Sequence, residues 1–198
     1  MKHGLLYPQP DWIRELSGSW DSAREFTDIM ALLHRVAYAN VVHGGGPFAA
    51  ALTHADGRIV ELNVNLVVPC NDCGAHAEGV TLHNAQRLLA QAGTPVRDLH
   101  SFYLFSTGMP CVGCAGRIWL FRPARVYASV SKELIEANSP FSEGPVGKDF
   151  WPRARSERGI ELIENFGFGS GEAALRPFRA FTQALSEGKT DSYLERKH

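Results

Sequence analysis

His76-Ala77-Glu78 and Pro110-Cys111-Val112-Gly113-Cys114 are the segments whose residue types and spacing could carry chemistry. Each is predicted to open a helix. Cys111 and Cys114 are three apart, so one helical turn places both thiols on the same face. Unpaired N–H groups and the positive dipole end at a helix start favour anions, and a thiolate is an anion, so the position lowers the thiol pKa. Pro110 suits such a start because its ring fixes φ and gives up no needed donor. Adding the His76 imidazole gives one nitrogen and two sulfur ligands. Three protein ligands on zinc leave a fourth tetrahedral position for water, which is the catalytic pattern rather than the closed structural one. Zinc brings ionisation of that water down to near-neutral pH, although two thiolates temper the metal's acidity. Glu78, two residues from the proposed ligand, could supply the base that takes the water's proton.

Taken singly, each feature has a plainer reading. A histidine or glutamate at a helix start is usually a cap or a dipole partner, and cysteines three apart are often just buried. Their joint occurrence is the signal. A rival arrangement uses all four cysteines: Cys70-Asn71-Asp72-Cys73 and Cys111–Cys114 as two knuckles of a structural four-cysteine zinc module, which would make this a binding protein rather than an enzyme. The 37 intervening residues exceed the usual knuckle separation of roughly 15–20, and the arrangement leaves His76 and Glu78 without a role. Cys70 and Cys73 then read as loop residues near the site, with a redox pair as the lesser option.

The elements that must position these residues are legible in outline. Ser22 and Glu25 form a capping-box pair, and Phe26, Ile29, Met30, Leu33, Val36 and Ala37 follow at helical spacing, so a helix is predicted over 22–42, stopped by Gly44-Gly45-Gly46-Pro47. Phe48–Thr53 and Arg58–Asn63 read as strands joined by an Asp56-Gly57 hairpin turn. After Asn65, an apolar run Leu66–Val68 leads to a polar loop from Pro69 to Gly74. Helices are expected over 76–92 and 111–121, and strands over 102–106 and 126–130. This order specifies an α/β layered domain with a mixed sheet. Residues 131–157 read as loop and short helix, 159–166 as a strand or turn, and 172–185 as a helix despite Pro177. Residues 1–20 look like an irregular lead-in, and the last dozen look solvated. Gly167–Gly171 lacks the lysine of a phosphate loop and reads as a connector.

Composition limits the function. The chain has 198 residues, 44% apolar and 21% charged, enough for one domain plus a modest extension. Twenty basic against twenty-one acidic residues give a net charge of −1, so a nucleic-acid partner is not favoured. No run approaches the roughly 20 apolar residues of a membrane span. With no secretory signal read and too few cysteines for a disulfide scaffold, a reducing cytoplasm is the expected location.

The segments Gly45-Gly46-Pro47-Phe48-Ala49-Ala50, Asn65, His76-Ala77-Glu78 and Pro110–Cys114 run in an order that resembles the cytidine deaminase superfamily, whose zinc enzymes carry an H-x-E…P-C-x-x-C signature. Within it, the resemblance is to bacterial guanine deaminases and related nucleobase deaminases, over roughly residues 25–165. It implies a three-layer α/β/α fold with a mixed central sheet, made of a lead-in (1–21), a deaminase core (22–157) and a C-terminal extension (158–198) that could cover a partner's pocket in a homodimer. It implies one zinc per subunit, held by His76, Cys111 and Cys114, and a small amino-heterocycle as substrate. Hydrolytic deamination is the implied reaction, with guanine to xanthine plus ammonia leading and adenosine-to-inosine deamination in tRNA, cytosine or a pterin as alternatives. Glu78 would shuttle protons to the ring nitrogen and the departing amine. Asn65 matches an asparagine that hydrogen-bonds the base. Phe48 matches a residue packing on the base, or is simply a core strand residue. Glu143, in Phe141-Ser142-Glu143-Gly144-Pro145, matches an acidic residue at the purine edge, or is a solvated loop carboxylate. Met109 replaces a common glutamate, Gly113 a common methionine, and Lys132-Glu133 occupies the region of a second acidic group with shifted spacing.

Overall fold

The computed structural model describes residues 6–142, 144–167 and 169–190. Among these residues, five strands form one sheet: β1 (Ala49–Thr53), β2 (Ile59–Val64), β3 (Tyr103–Gly108), β4 (Arg125–Val130) and β5 (Glu161–Ile163), in spatial order β2-β1-β3-β4-β5. β1 pairs antiparallel with β2 and with β3, whereas β3, β4 and β5 run parallel, so the sheet is mixed as expected. The hairpin turn falls at Asp56-Gly57. Asp56 Oδ1 accepts the Arg58 N–H at 3.1 Å, and Gly57 takes φ 84°, a backbone conformation open to glycine at little cost.

Alternation along the strands sorts the core into two faces. Ala49, Ala51, Phe105 and Tyr127 point to the side of α2 (Phe26–Val42), packing with Ile29, Leu33 and Val36. Ala50, Leu52, Leu104 and Val126 point the other way, to Ala85 and Leu89 of α4 (Ala77–Gln91) and Ile118 of α5 (Val112–Phe121). The result is the three-layer α/β/α arrangement. A one-turn α3 (Val67–Cys70) precedes α4, and α6 (Lys132–Asn138) and α7 (Phe150–Arg158) follow β4. α8 (Glu172–Ser186) accommodates Pro177 and packs along α2 and α6, burying Phe178 and Phe181.

Two local expectations change. The lead-in contains a helix, α1 (Asp11–Ser17), with Pro10 at its N-cap and Ile13 fully buried against the α2 side. The Ser22/Glu25 capping box does not form: α2 begins at Phe26 with Glu25 as an extended N-cap making no side-chain cap bond. Tertiary contacts hold the preceding residues out of the helix. Trp20 C=O accepts the Ile59 N–H at 3.1 Å, Arg24 Nη2 donates to Ser17 C=O at 2.6 Å, and the Arg24 backbone lies against Gly57.

Candidate active site

The carboxyl end of β3 and the first turns of α4 and α5 converge. His76 is the N-cap of α4, in extended conformation. Cys111 is the N-cap of α5, its Sγ accepting the Cys114 N–H at 3.5 Å. Helix α5 therefore starts at Val112, one residue later than the expected 111, with a sulfur in the place of the usual capping oxygen. His76 Nδ1 lies 3.5 Å from Cys111 Sγ. One ligand atom each from His76, Cys111 and Cys114 lies within 4.8 Å of the others, and this is the metal-competent grouping found among the described residues.

The donor set fits zinc. Tetrahedral ligands at ordinary zinc bond lengths stand about 3.6 Å apart, near the observed nitrogen–sulfur separation. The thiols also share one proton unequally: the hydrogen bond from Cys114 holds Cys111 down to about 4, helped by the imidazole, while the same bond and burial push Cys114 up. A pair already poised to lose its first proton is what a cation would exploit. Cys70 is partly buried and Cys73 exposed; neither joins the grouping, so the four-cysteine module is not formed. Their loop is instead organised by Asp72, whose carboxylate accepts from Gly74 N–H at 2.8 Å and Tyr7 O–H at 2.7 Å.

Glu78 lies in the first turn of α4, only 5% exposed. Oε2 is 3.4 Å from Cys114 Sγ, and Oε1 accepts the Ser106 hydroxyl at 3.0 Å. Burial first, and the Cys111 charge second, push its carboxyl above the usual range. Glu78 thus lies beside the His76, Cys111 and Cys114 grouping.

Asn65 follows β2 and is fully buried. Its N–H donates to Phe48 C=O at 3.0 Å, and its Oδ1 accepts from Val67 N–H at 3.2 Å. Phe48 is buried, edge-on to Phe141 and Phe178 at 5.0 and 5.2 Å. Its Cε1 would lie 3.2 Å from a Cβ at Gly108, the last residue of β3. Glu143 lies outside the described residues.

Two residues escaped the sequence reading. Asn40, near the end of α2, donates through one Nδ2 to Gly46 C=O at 2.8 Å and to Asn65 C=O at 2.9 Å, clamping the glycine turn to the Asn65 backbone. Gly45 has no room for a Cβ beside the Asn40 amide, and a Cβ at Gly46 would come within 2.8 Å of the Asn65 amide. Ser106, fully buried on β3, is the partner of Glu78. A polar residue at an inward strand position was its available signal; Asn40 carried none, because its partners lie in distant segments.

A mixed sheet flanked by helices, with a three-ligand metal-competent grouping at the strand ends and a buried carboxylate beside it, defines a metal-dependent hydrolase. The family model for the cytidine and deoxycytidylate deaminase zinc-binding region matches residues 23–130, and the chain belongs to that family. It is a zinc-dependent hydrolytic deaminase. Among solved structures it is similar to the guanine deaminase from Nitrosomonas europaea, at 25% identity over 91% of this chain and 98% of that one, with a TM-score of 0.71. A complex with 2,6-diaminopurine shares the fold at 23% identity, covering 99% of this chain and 98% of that one, TM-score 0.75. So does a structure from work on A-to-I editing by tRNA wobble-position deaminases, at 23% identity, covering 74% of this chain and 99% of that one, TM-score 0.56. No curated protein sequence matches the chain. Among the described residues, no helix is long and apolar enough to cross a membrane.

Proposed function

We propose that the substrate is a purine base, guanine, converted to xanthine and ammonia. The observation that carries the deamination chemistry is the junction of the His76, Cys111 and Cys114 grouping with the Glu78 carboxylate, 3.4 Å from Cys114 Sγ. The similarity to the Nitrosomonas europaea guanine deaminase supports the choice of base, as do related structures in complex with 8-azaguanine and 2,6-diaminopurine.

His76, Cys111 and Cys114 would hold the zinc, which when bound supplies a water activated at neutral pH. Glu78 would take that water's proton and return protons to the ring nitrogen and the leaving amino group. A carbon–oxygen bond forms and the carbon–nitrogen bond breaks. Asn65 would present its amide to the ring edge, with Phe48 packing against the base and Glu143 contacting its purine edge. Buried polar groups of this kind discriminate strongly, because a base lacking the complementary group leaves them unpaired. The protein would act in the cytoplasm as a homodimer, with residues 158–198 as the extension beyond the deaminase core.

Incubation of zinc-loaded protein with a panel of bases, nucleosides and pterins, following ammonia, tests the reading. Guanine is expected to be turned over fastest; release from cytosine or a pterin alone would replace it. Asn65→Ala should lower kcat/KM for guanine by roughly 10–100-fold. The tRNA alternative has a similar structure behind it and a net charge of −1 against it. A gel shift with tRNA at physiological salt, expected to show no complex, separates the two. Sedimentation checks the dimer.

A further inference from the structure

We propose that Ser106 is a positioning residue that anchors one oxygen of the Glu78 carboxylate and so turns the other toward the metal-competent grouping. The inference rests on Glu78 being the proton carrier, as read above. Ser106 stands on β3, fully buried, facing the first turn of α4. Its Oγ lies 3.0 Å from Glu78 Oε1, and the Gly108 N–H points at the same Oγ from 3.4 Å. An N–H can only donate, so the hydroxyl oxygen accepts there and its own proton is aimed at Oε1.

The two carboxylate oxygens are therefore not equivalent. Oε1 is anchored to the strand by a donated hydrogen bond. Oε2 instead accepts from the Cys114 thiol at 3.4 Å, on the side of the metal-competent grouping. Ser106 thus holds Oε2 on the side of the metal-competent grouping. The anchor opposes rotation of the carboxyl, which would exchange the two oxygens and turn Oε2 toward the strand. The hydroxyl itself neither gains nor loses a proton over the cycle, so its role is positional.

The test compares Ser106→Ala and Ser106→Thr in zinc-loaded protein. In the alanine variant kcat should fall about tenfold, the scale of one hydrogen bond to a charged group, while KM stays within about twofold and zinc remains at about one per chain. The threonine variant keeps the hydroxyl and should recover most of the rate. An infrared readout is independent of turnover: the carboxylate stretch that disappears in Glu78→Gln should shift in Ser106→Ala and not in Ser106→Thr. Should the alanine variant fail to fold, Ser106→Val against Ser106→Thr, equal in shape and differing in the hydroxyl, gives the same comparison.

Wild-type kcat with an unmoved band in the hydroxyl-free variants overturns the inference. So does equal loss in the alanine and threonine variants, which would mark Ser106 as structural. If Glu78→Gln itself keeps wild-type turnover, the reading of Glu78 fails, and that result is separate from either of these.

Discussion

Glu78 and Glu61 are both buried carboxylates, 5% and 4% exposed, and burial raises the pKa of both. Their surroundings differ. Glu61, on β2, has its Oε1 ringed by amides: Gln9 Nε2 at 3.4 Å, Asn63 Nδ2 at 3.3 Å and Asn84 Nδ2 at 3.3 Å. Burial sets its pKa to about 7, opposed by the Asn84 and Asn63 hydrogen bonds and the more distant Arg14 charge. The amide N–H groups that face it neither ligate a metal nor pass a proton on. Glu61 instead ties the segment around Tyr7 and Gln9 to β2 and α4, with Asn84 also exchanging two hydrogen bonds with the Tyr7 backbone. Glu78 meets a thiol on one oxygen and a hydroxyl on the other, beside an imidazole. A displaced pKa alone does not mark a site; the neighbours of the second oxygen do.

The sharpest break between the two regions is at the metal. Cys111→Ser should strip zinc from the protein and reduce ammonia release to background, measured by metal analysis beside the activity assay. Glu78→Gln comes next: kcat should fall by roughly 10²–10⁴, the range for general acid–base catalysis, with zinc content unchanged. Glu61→Gln is the counterpart and should leave kcat within about twofold while changing stability. Its ordinary pKa of 4.5 rises to about 7 in the fold. Between those values the folded chain keeps a proton that the unfolded chain has released, so stability falls as pH rises through the window. Below it Glu61 is neutral in both states, and above it the cost is constant. Denaturation at pH 8 should therefore show Glu61→Gln more stable by roughly 2–3 kcal/mol, converging with the parent at pH 4. If Glu61→Gln instead abolished turnover, the contrast between the two carboxylates would collapse. The smallest effect is expected from Asn84→Ala, about 1–2 kcal/mol in denaturation with kcat unchanged, together with faster amide exchange at Tyr7.

The strongest local patterns were readable without coordinates. The Asp56-Gly57 turn, the amphipathic runs of α2 and α4, and the three-residue cysteine spacing each arise within one short stretch of chain, so composition and periodicity reveal them. The capping box at Ser22 and Glu25 failed for the opposite reason: segment 18–25 is claimed by the hairpin through Trp20 and Arg24, and a tertiary contact outranks a local cap. Helix α1 was missed because seven residues behind two prolines give too short a period to read. Asn40 was invisible because its clamp joins residues 6 and 25 positions away.

Residue type and spacing alone determined the donor set of His76, Cys111 and Cys114 and the carboxylate two residues from the imidazole, because ligand chemistry and helical periodicity are properties of short segments. Their meeting was decided by the crossover that carries α4 from β2 back beside β3, which brings residues 35 apart to 3.5 Å. The same packing buried two glutamates alike and gave one of them a thiol and a hydroxyl as neighbours, the other amides. That choice depends on which strand edge and which helix end lie adjacent in space, and no local pattern encodes it.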